Sequence, residues 1–219
     1  MLSVKNISIH LGNFHLDQIT FDINKGEYVV LMGKTGCGKT SVMEAICGLR
    51  KINAGSIWLD ERDISKLKPS ERSIGYVPQD GALFSSMDVR SNLSFALKIR
   101  KWKKEQVATR VKELSDLLGI EHLLNRSVAV LSGGEKQRIS LGRGLAFYPD
   151  FICMDEPLSA LDEPTRDDLY LLLEKLKKEL NITVLHVSHS SHDADILADR
   201  VVKIEDGAII ELRNKIWSK

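Results

Sequence analysis

Long apolar runs are missing from this chain of 219 residues. None approaches the ~18 consecutive apolar residues that a membrane-spanning helix needs. Met1-Leu2-Ser3-Val4-Lys5 leads into an alternating strand pattern rather than a signal peptide. The expectation is a chain that stays in the cytosol unless a partner holds it at a membrane. Cysteine is scarce and odd in number: Cys37, Cys47 and Cys153 show neither CxxC nor Cys/His metal spacing, which argues against structural disulfides and a zinc site. Excess charge is also absent. Lys and Arg number 31 against 30 Asp and Glu, so there is no global attraction to nucleic acid or anionic lipid, and any binding is local. No internal repeat or low-complexity linker appears. What is present is an ordinary globular composition, 43% hydrophobic and 28% charged, at a length that suits one large domain or two intimate subdomains.

The first runs, Val4 to Ile9 and Ile19 to Ile23, alternate apolar and polar residues around Gly12-Asn13, which predicts an antiparallel strand pair. Tyr28 to Met32 is continuously apolar, as suits a buried central strand, and it ends directly at Gly33. Helical spacing follows from Ser41 to Leu49, with Gly48 at the stop. Strand candidates come at Ser56 to Leu59 and Ile74 to Val77, separated by a charged loop closed by Pro69. From Ser85 to about Tyr148 the character is helical, with Val107, Val111, Leu114 and Leu118 on one face stopped by Gly119. The basic stretch Lys98 to Lys104 around Ile99 and Trp102 reads as a solvated helix end and is assigned no function.

After the strand Phe151 to Met154, Pro164 opens a helix carrying Leu169, Leu172, Leu173, Leu176 and Leu180. Then come a strand Thr183 to Val187, a helix near Ala194 to Asp199, a strand Arg200 to Ile204, a turn at Asp206-Gly207 and a last strand Ala208 to Leu212. Alternating strands and helices mean an α/β core with a mostly parallel sheet.

Gly33-Lys34-Thr35-Gly36-Cys37-Gly38-Lys39-Thr40 fits G-x-x-x-x-G-K-[ST] between a strand and a helix. The glycines let backbone N–H groups turn inward, and the following helix start adds partial positive charge, so the loop can cradle an anion. Lys39 is the mobile cation for the β and γ phosphates, and Thr40 offers a hydroxyl to Mg²⁺. Lys34 adds a solvent-facing cation, and Ser41 joins the nucleotide-binding set. Asp155 and Glu156 end a strand at the sheet edge where ligands bind. Asp155 suits a water-mediated Mg²⁺ ligand, and Glu156, pointing differently on the pleat, can polarise a water for in-line attack on the γ-phosphate. In Leu131-Ser132-Gly133-Gly134-Glu135, Ser132 and Glu135 form a capping box. That leaves Gly133 and Gly134 unexplained, since each sacrifices about 1 kcal/mol of helix propensity unless bare backbone must approach something closely. The helix start reads as a second anion site.

With these motifs the chain resembles the nucleotide-binding subunit of an ATP-binding cassette (ABC) transporter. Gly33 to Thr40 is similar to the family's Walker A loop, Phe151 to Glu156 to its Walker B strand with the catalytic glutamate, and Leu131 to Gln137 to its LSGGQ-type signature. Gln79 matches the Q-loop, Ser159 to Asp162 the D-loop, and His189 the switch histidine. The resemblance covers nearly the whole chain. It implies an α/β P-loop NTPase cassette with a mixed sheet core, an N-terminal antiparallel β subdomain and an inserted helical subdomain, residues 85–148 within a core of 1–84 and 149–219.

It also implies that two cassettes pair head to tail, with ATP held between one phosphate loop and the other subunit's Ser132, Gly133, Gly134 and Glu135. Glu156, His189 and Gln79 then form the catalytic set, Thr40, Gln79 and Asp155 the Mg²⁺ set, and Asp162 the D-loop contact. His186, upstream on the same strand pattern, is read as facing the same side as His189, so only the resemblance selects His189. Partners would be a second cassette, transmembrane permease subunits and a substrate-binding protein, with no nucleic acid. The place would be the cytoplasmic face of the membrane, with Phe84 of the segment Asp80 to Phe84 against a membrane subunit.

The sequence departs from the family's pattern where an aromatic stacks on adenine: Leu11 stands there, and Phe14 is the nearby substitute. Ser190 follows the switch histidine in place of the frequent aspartate, and Glu135 stands where glutamine is common. Gly81 to Phe84 and Asn92 to Leu97 are similar to cassettes of importers for oxyanions such as molybdate and tungstate, and for iron(III), sugars or polyamines. Many of those carry a C-terminal regulatory domain, and this chain, ending at Lys219, is expected to be either a minimal version or a truncated one. The rival reading is a cassette ATPase without transport, in DNA repair, translation or cluster assembly. Such chains tend to carry long coiled coils, fused cassettes or dedicated insertions. A non-catalytic binding module is disfavoured by the presence of both Glu156 and His189.

Overall fold

The computed structural model describes residues 2–205 and 207–212. Strands β1 (Leu2–Leu11) and β2 (Phe14–Ile23) form the expected hairpin, and both extend further than their alternating runs. β3 (Tyr28–Gly33) leads through the glycine loop into α1 (Lys39–Cys47). Strand β4 (Ala54–Leu59) and the two-residue β5 (Arg62–Asp63) join the hairpin in a four-stranded antiparallel sheet, order β2-β1-β4-β5. β6 (Ile74–Val77) precedes helices α2 (Val89–Ile99), α3 (Lys104–Leu118) and α4 (Gly133–Leu145). The chain continues through β7 (Phe151–Asp155), α5 (Glu163–Leu180), β8 (Thr183–Val187), α6 (Ser191–Leu197), β9 (Arg200–Glu205) and β10 (Ala208–Leu212). The second sheet has six strands in the order β10-β9-β3-β8-β7-β6, all parallel except the β10/β9 pair.

Period-two alternation splits the six-stranded sheet between two cores. Val29, Leu31, Cys153, Leu185 and Val187 face α1 and the antiparallel sheet. Tyr28, Val30, Ile152, Met154 and Val184 face the helices on the other side. Central strands buried on both faces read as unbroken apolar runs, which is why β3 was legible as one. Its carboxyl end therefore delivers the glycine loop to the same sheet edge as the end of β7.

Helix α1 stops where expected, at Gly48 in the left-handed region (φ 79). Arg72 completes that end. It is 3% exposed, and its Nη1 donates to the carbonyls of Ala45 and Ile46 at 2.6 and 2.8 Å, while Nε and Nη2 reach Leu67 and Ser65. These bonds satisfy last-turn carbonyls that a helix leaves open.

Two expectations shift. Leu180, placed on the buried stripe of α5, is 39% exposed, because it closes the last turn beside left-handed Asn181. Helix α6 begins at Ser191 rather than near Ala194, since Ser190 caps it by accepting from the Asp193 N–H, and it ends before Asp199, whose N–H donates to the Tyr28 carbonyl. The turn residue Asp206 and the tail to Lys219 lie outside the described residues, as does Met1.

Candidate functional site

The loop from Gly33 to Lys39 is shaped by its glycines and closed on itself. Gly38, the residue before α1, has φ 100. A Cβ there would lie 2.4 Å from Leu16 Cδ1 and 2.8 Å from Phe14 Cζ. Both the backbone angle and the space thus demand glycine. The same approach sets Phe14 beside the loop, where it lines a cleft of about 310 Å³ with Lys34, Cys37, Lys203 and Glu205. Lys39 is only 6% exposed. Its Nζ donates to the carbonyls of Gly33 and Lys34 at 2.9 and 3.2 Å, so two of three ammonium hydrogens are held by the loop itself. Lys34, Thr35, Gly36 and Thr40 are exposed, and Cys37 and Ser41 half-buried.

Asp155, at the end of β7, lies 3.3 Å from the Thr40 hydroxyl, which donates to it. Burial pushes the Asp155 carboxyl above its ordinary range, against the Thr40 hydrogen bond, and the charges of Glu156 and Glu44 add to the rise while Lys39 opposes it. Glu156 is not on the pleat. The strand ends at Asp155, and Glu156 adopts a left-handed φ of 43 with its N–H donating to the Val187 carbonyl, so its side chain leaves the sheet edge. Its Oε2 is met by Gln79 Nε2 at 3.5 Å and His189 Nδ1 at 3.3 Å. Ends of β6, β7 and β8 thereby bring three of the expected residues to one carboxylate oxygen. The histidines do not share a face. His186 is wholly buried on β8, whereas His189, three residues on and past the strand's end, has a side chain 58% exposed. An odd separation reverses the strand face even before the strand stops. His189 also borders a second cleft, of about 460 Å³, together with Lys34, Thr35 and Lys203.

Ser132 to Glu135 form the capping box: Ser132 Oγ accepts from the Glu135 N–H at 3.3 Å, and Glu135 Oε2 from the Ser132 N–H at 2.7 Å. The Ser132 N–H, aided by the Ser132 hydroxyl, holds the Glu135 carboxyl below its ordinary range. The two glycines differ. A Cβ on Gly134 would lie 2.4 Å from Thr165 Cγ2, so its bareness serves packing within the chain, while one on Gly133 would meet only Leu161 Cδ2 at 3.5 Å. Asp162 sits exposed at the start of α5 without a side-chain cap bond. Among the described residues no hydrogen bond or ion pair joins Ser132–Glu135 to the Gly33–Ser41 loop. Phe84 is half-buried, 4.4 Å from Phe95 between ring centroids, with the Arg143 guanidinium over its ring.

A buried cluster behind His189 went unread in the sequence. Asp193 accepts from the hydroxyls of Tyr170 and Ser188, both at 2.6 Å. Its signal was the S-x-x-D spacing of Ser190 to Asp193, a helix-start pattern.

A family model described as "ABC transporter" matches residues 16–159. The molybdate/tungstate import ATP-binding protein of Thermococcus kodakarensis is 42% identical over 212 residues, covering 97% of this chain and 64% of that protein. Its counterpart in Methanocaldococcus jannaschii is 39% identical, covering 98% and 71%. A maltose/maltodextrin import ATP-binding protein of Mannheimia succiniciproducens is 37% identical, covering 96% and 57%. The chain spans about three-fifths of the length of several such relatives, 61% to 64% for three of the molybdate/tungstate proteins. Among solved structures, a dimeric post-hydrolysis state of an ATP-binding cassette bound to ADP and Pi superposes with a TM-score of 0.84 at 28% identity, covering 98% of this chain and 100% of the other.

Proposed function

The chain belongs to the ABC transporter family, and from that premise we propose that it is the ATP-hydrolysing subunit of a membrane importer. The observation that carries the proposal is the convergence of Gln79 and His189 on Glu156 Oε2, at the same sheet edge as a lysine-bearing phosphate loop. The loop N–H groups and the third N–H of Lys39 bind the β and γ phosphates. Glu156 takes the proton of the water that attacks the γ-phosphate, as that water's oxygen bonds to phosphorus and ADP departs. His189 holds the γ-phosphate and orients the water, and Gln79 reports on its presence. Phe14 receives the base in the cleft beside the loop.

Thr40, Asp155 and Gln79 supply hydroxyl, carboxylate and amide oxygens, the hard donors that Mg²⁺ takes. The described residues contain no group of three or more His, Cys, Asp or Glu able to hold a metal, which suits an ion shared with phosphates and water rather than a protein cage. When bound, Mg²⁺ neutralises charge developing on the phosphate oxygens.

Ser132, Gly133, Gly134 and Glu135 act on the nucleotide of a second copy, head to tail, with Asp162 at the seam. In this reading residues 85–148 are a helical subdomain inserted into the core. No helix among the described residues is long and apolar enough to cross a membrane. In this reading permease subunits hold the cassette at the cytoplasmic face, with Phe84 near that contact. A substrate-binding protein delivers cargo. Relatives named for molybdate/tungstate, maltose and spermidine/putrescine match the same span, so cargo choice resides in those partners.

The test is Mg-ATP hydrolysis by the parent and by Glu156→Gln, with light scattering to follow association. The variant is expected to bind ATP, to lose turnover and to accumulate an ATP-dependent dimer. Unchanged hydrolysis would remove Glu156 from its role.

A further inference from the structure

Two serines flank His189, and one buried residue bonds both, Ser188 through its carboxylate and Ser190 through its backbone N–H. Asp193, 4% exposed in the first turn of α6, accepts from Ser188 Oγ through Oδ2, and its own N–H donates to Ser190 Oγ at 3.4 Å. Ser188 Oγ in turn accepts from the Ser190 N–H at 3.0 Å, and the Ser188 N–H donates to the Leu31 carbonyl of β3. The other carboxylate oxygen, Oδ1, is bonded by the Tyr170 hydroxyl of α5. On the remaining side stands His186, its Nε2 3.7 Å from Asp193 Oδ2 without a hydrogen-bond partner and its Nδ1 3.0 Å from the Tyr28 hydroxyl. Side chains from α5 and from β8 and the residue after it thus meet the carboxylate of α6, four residues along the chain from the exposed imidazole that faces Glu156.

A buried carboxylate is a poor choice if packing alone is needed, because apolar side chains of similar volume stabilise as well or better. Charge-assisted O–H bonds of 2.6 Å do something apolar contacts do not: they fix direction. The directions fixed here are those of the backbone on either side of His189. A side chain 58% exposed has little packing to hold its place 3.3 Å from Glu156 Oε2. We infer that Asp193 is a positioning residue, setting His189 against Glu156 and the γ-phosphate through Ser188 and Ser190, with Tyr170 anchoring it to α5. The inference rests on the hydrolytic reading of Glu156 and His189.

The experiment compares full-length parent, Asp193→Asn, Ser188→Ala and Tyr170→Phe. Expected is a fall in kcat of about tenfold for Asp193→Asn and several-fold for the other two, with ATP affinity within twofold of the parent. Asp193→Asn should add nothing in a His189→Ala background under single-turnover conditions, because it acts through that imidazole. Should Asp193→Asn not fold, Tyr170→Phe, which removes one hydroxyl and keeps the ring, gives the same reading. A kcat unchanged within twofold in the folded variants, a parallel loss of ATP affinity, or a full multiplicative loss in the His189→Ala background overturns the inference. Glu156→Gln, run alongside, separates the two levels: if it hydrolyses ATP like the parent, the underlying reading fails; if it alone is inactive, only the role of Asp193 falls.

Discussion

Gly134 of α4 and Thr165 of α5 approach so closely that a single added methyl on the glycine would sit 2.4 Å from Thr165 Cγ2. The starts of two helices are locked together there, beside the exposed Ser132 and Gly133. The pair of glycines that looked alike in sequence is thereby divided, Gly134 packed inside the chain and Gly133 exposed.

Gly134→Ala should therefore destabilise the fold by roughly 1–3 kcal/mol, the usual cost of overpacking. Thr165→Ser removes the offending methyl, and the double variant should recover most of the loss. Urea midpoints of the four proteins decide it, and additive losses would refute the contact as the cause.

Gly133→Ala should behave in the opposite way. Its Cβ would find ordinary contact at 3.5 Å, and alanine is the better helix former, so stability should hold or rise slightly. If Gly133 meets the nucleotide of a second copy as proposed, ATP-dependent association of a Glu156→Gln background should nevertheless weaken, because the added methyl would stand in its way. Association equal to that of the unsubstituted background would count against the trans site.

Lys39→Ala removes the buried ammonium of the loop. A hydrogen bond to a charged group contributes about 1.5–3 kcal/mol, so ATP affinity should fall about 10- to 100-fold in a calorimetric titration. An affinity equal to the parent's would dissociate Lys39 from the phosphates.

Cys37 is the half-buried thiol of the three, while Cys47 and Cys153 are 5% and 0% exposed. Burial also pushes the Cys153 thiol well up, which keeps it protonated and unreactive. Maleimide should label Cys37 first, and ATP should slow that labelling several-fold. Equal rates with and without nucleotide would place the thiol away from the bound phosphates.

Local chemistry explains what could be read beforehand. β3 is apolar throughout because both its faces are buried, and Gly48 and Gly119 mark helix ends because both adopt left-handed angles. The loop at Gly33 to Thr40 and the capping box at Ser132 to Glu135 are short-range patterns whose spacing is itself the structure. What escaped reading depends on distant partners. Arg72 reaches carbonyls 26 and 27 residues away, and no local pattern announces that. Glu156 leaves the pleat because the strand ends one residue earlier than its run of carboxylates suggests. Ser190 to Asp193 looked like an ordinary helix start, yet Asp193 turns inward to Tyr170 of another helix.

His186 makes the stability of this fold sensitive to mild acid. Burial drives its pKa down to about 4, against the pull of the Asp193 carboxylate, so the folded protein keeps the imidazole neutral. The unfolded chain binds a proton at its ordinary value near 6.5. Between those two values the unfolded state holds more protons, so stability falls as pH drops from about 6.5 and the loss levels off near about 4. At full extent that linkage is on the order of 3 kcal/mol. His186→Gln retains hydrogen-bonding capacity without titrating, so other acid-sensitive groups are common to both proteins. Urea midpoints taken at pH 7.5, 6.0 and 5.0 should show the parent losing stability relative to the variant at each step down. Parallel profiles would mean that the folded protein binds this proton as readily as the unfolded chain, with Asp193 Oδ2 at 3.7 Å offsetting the cost of burial, and a gain on acidification would mean that the folded imidazole holds its proton more tightly.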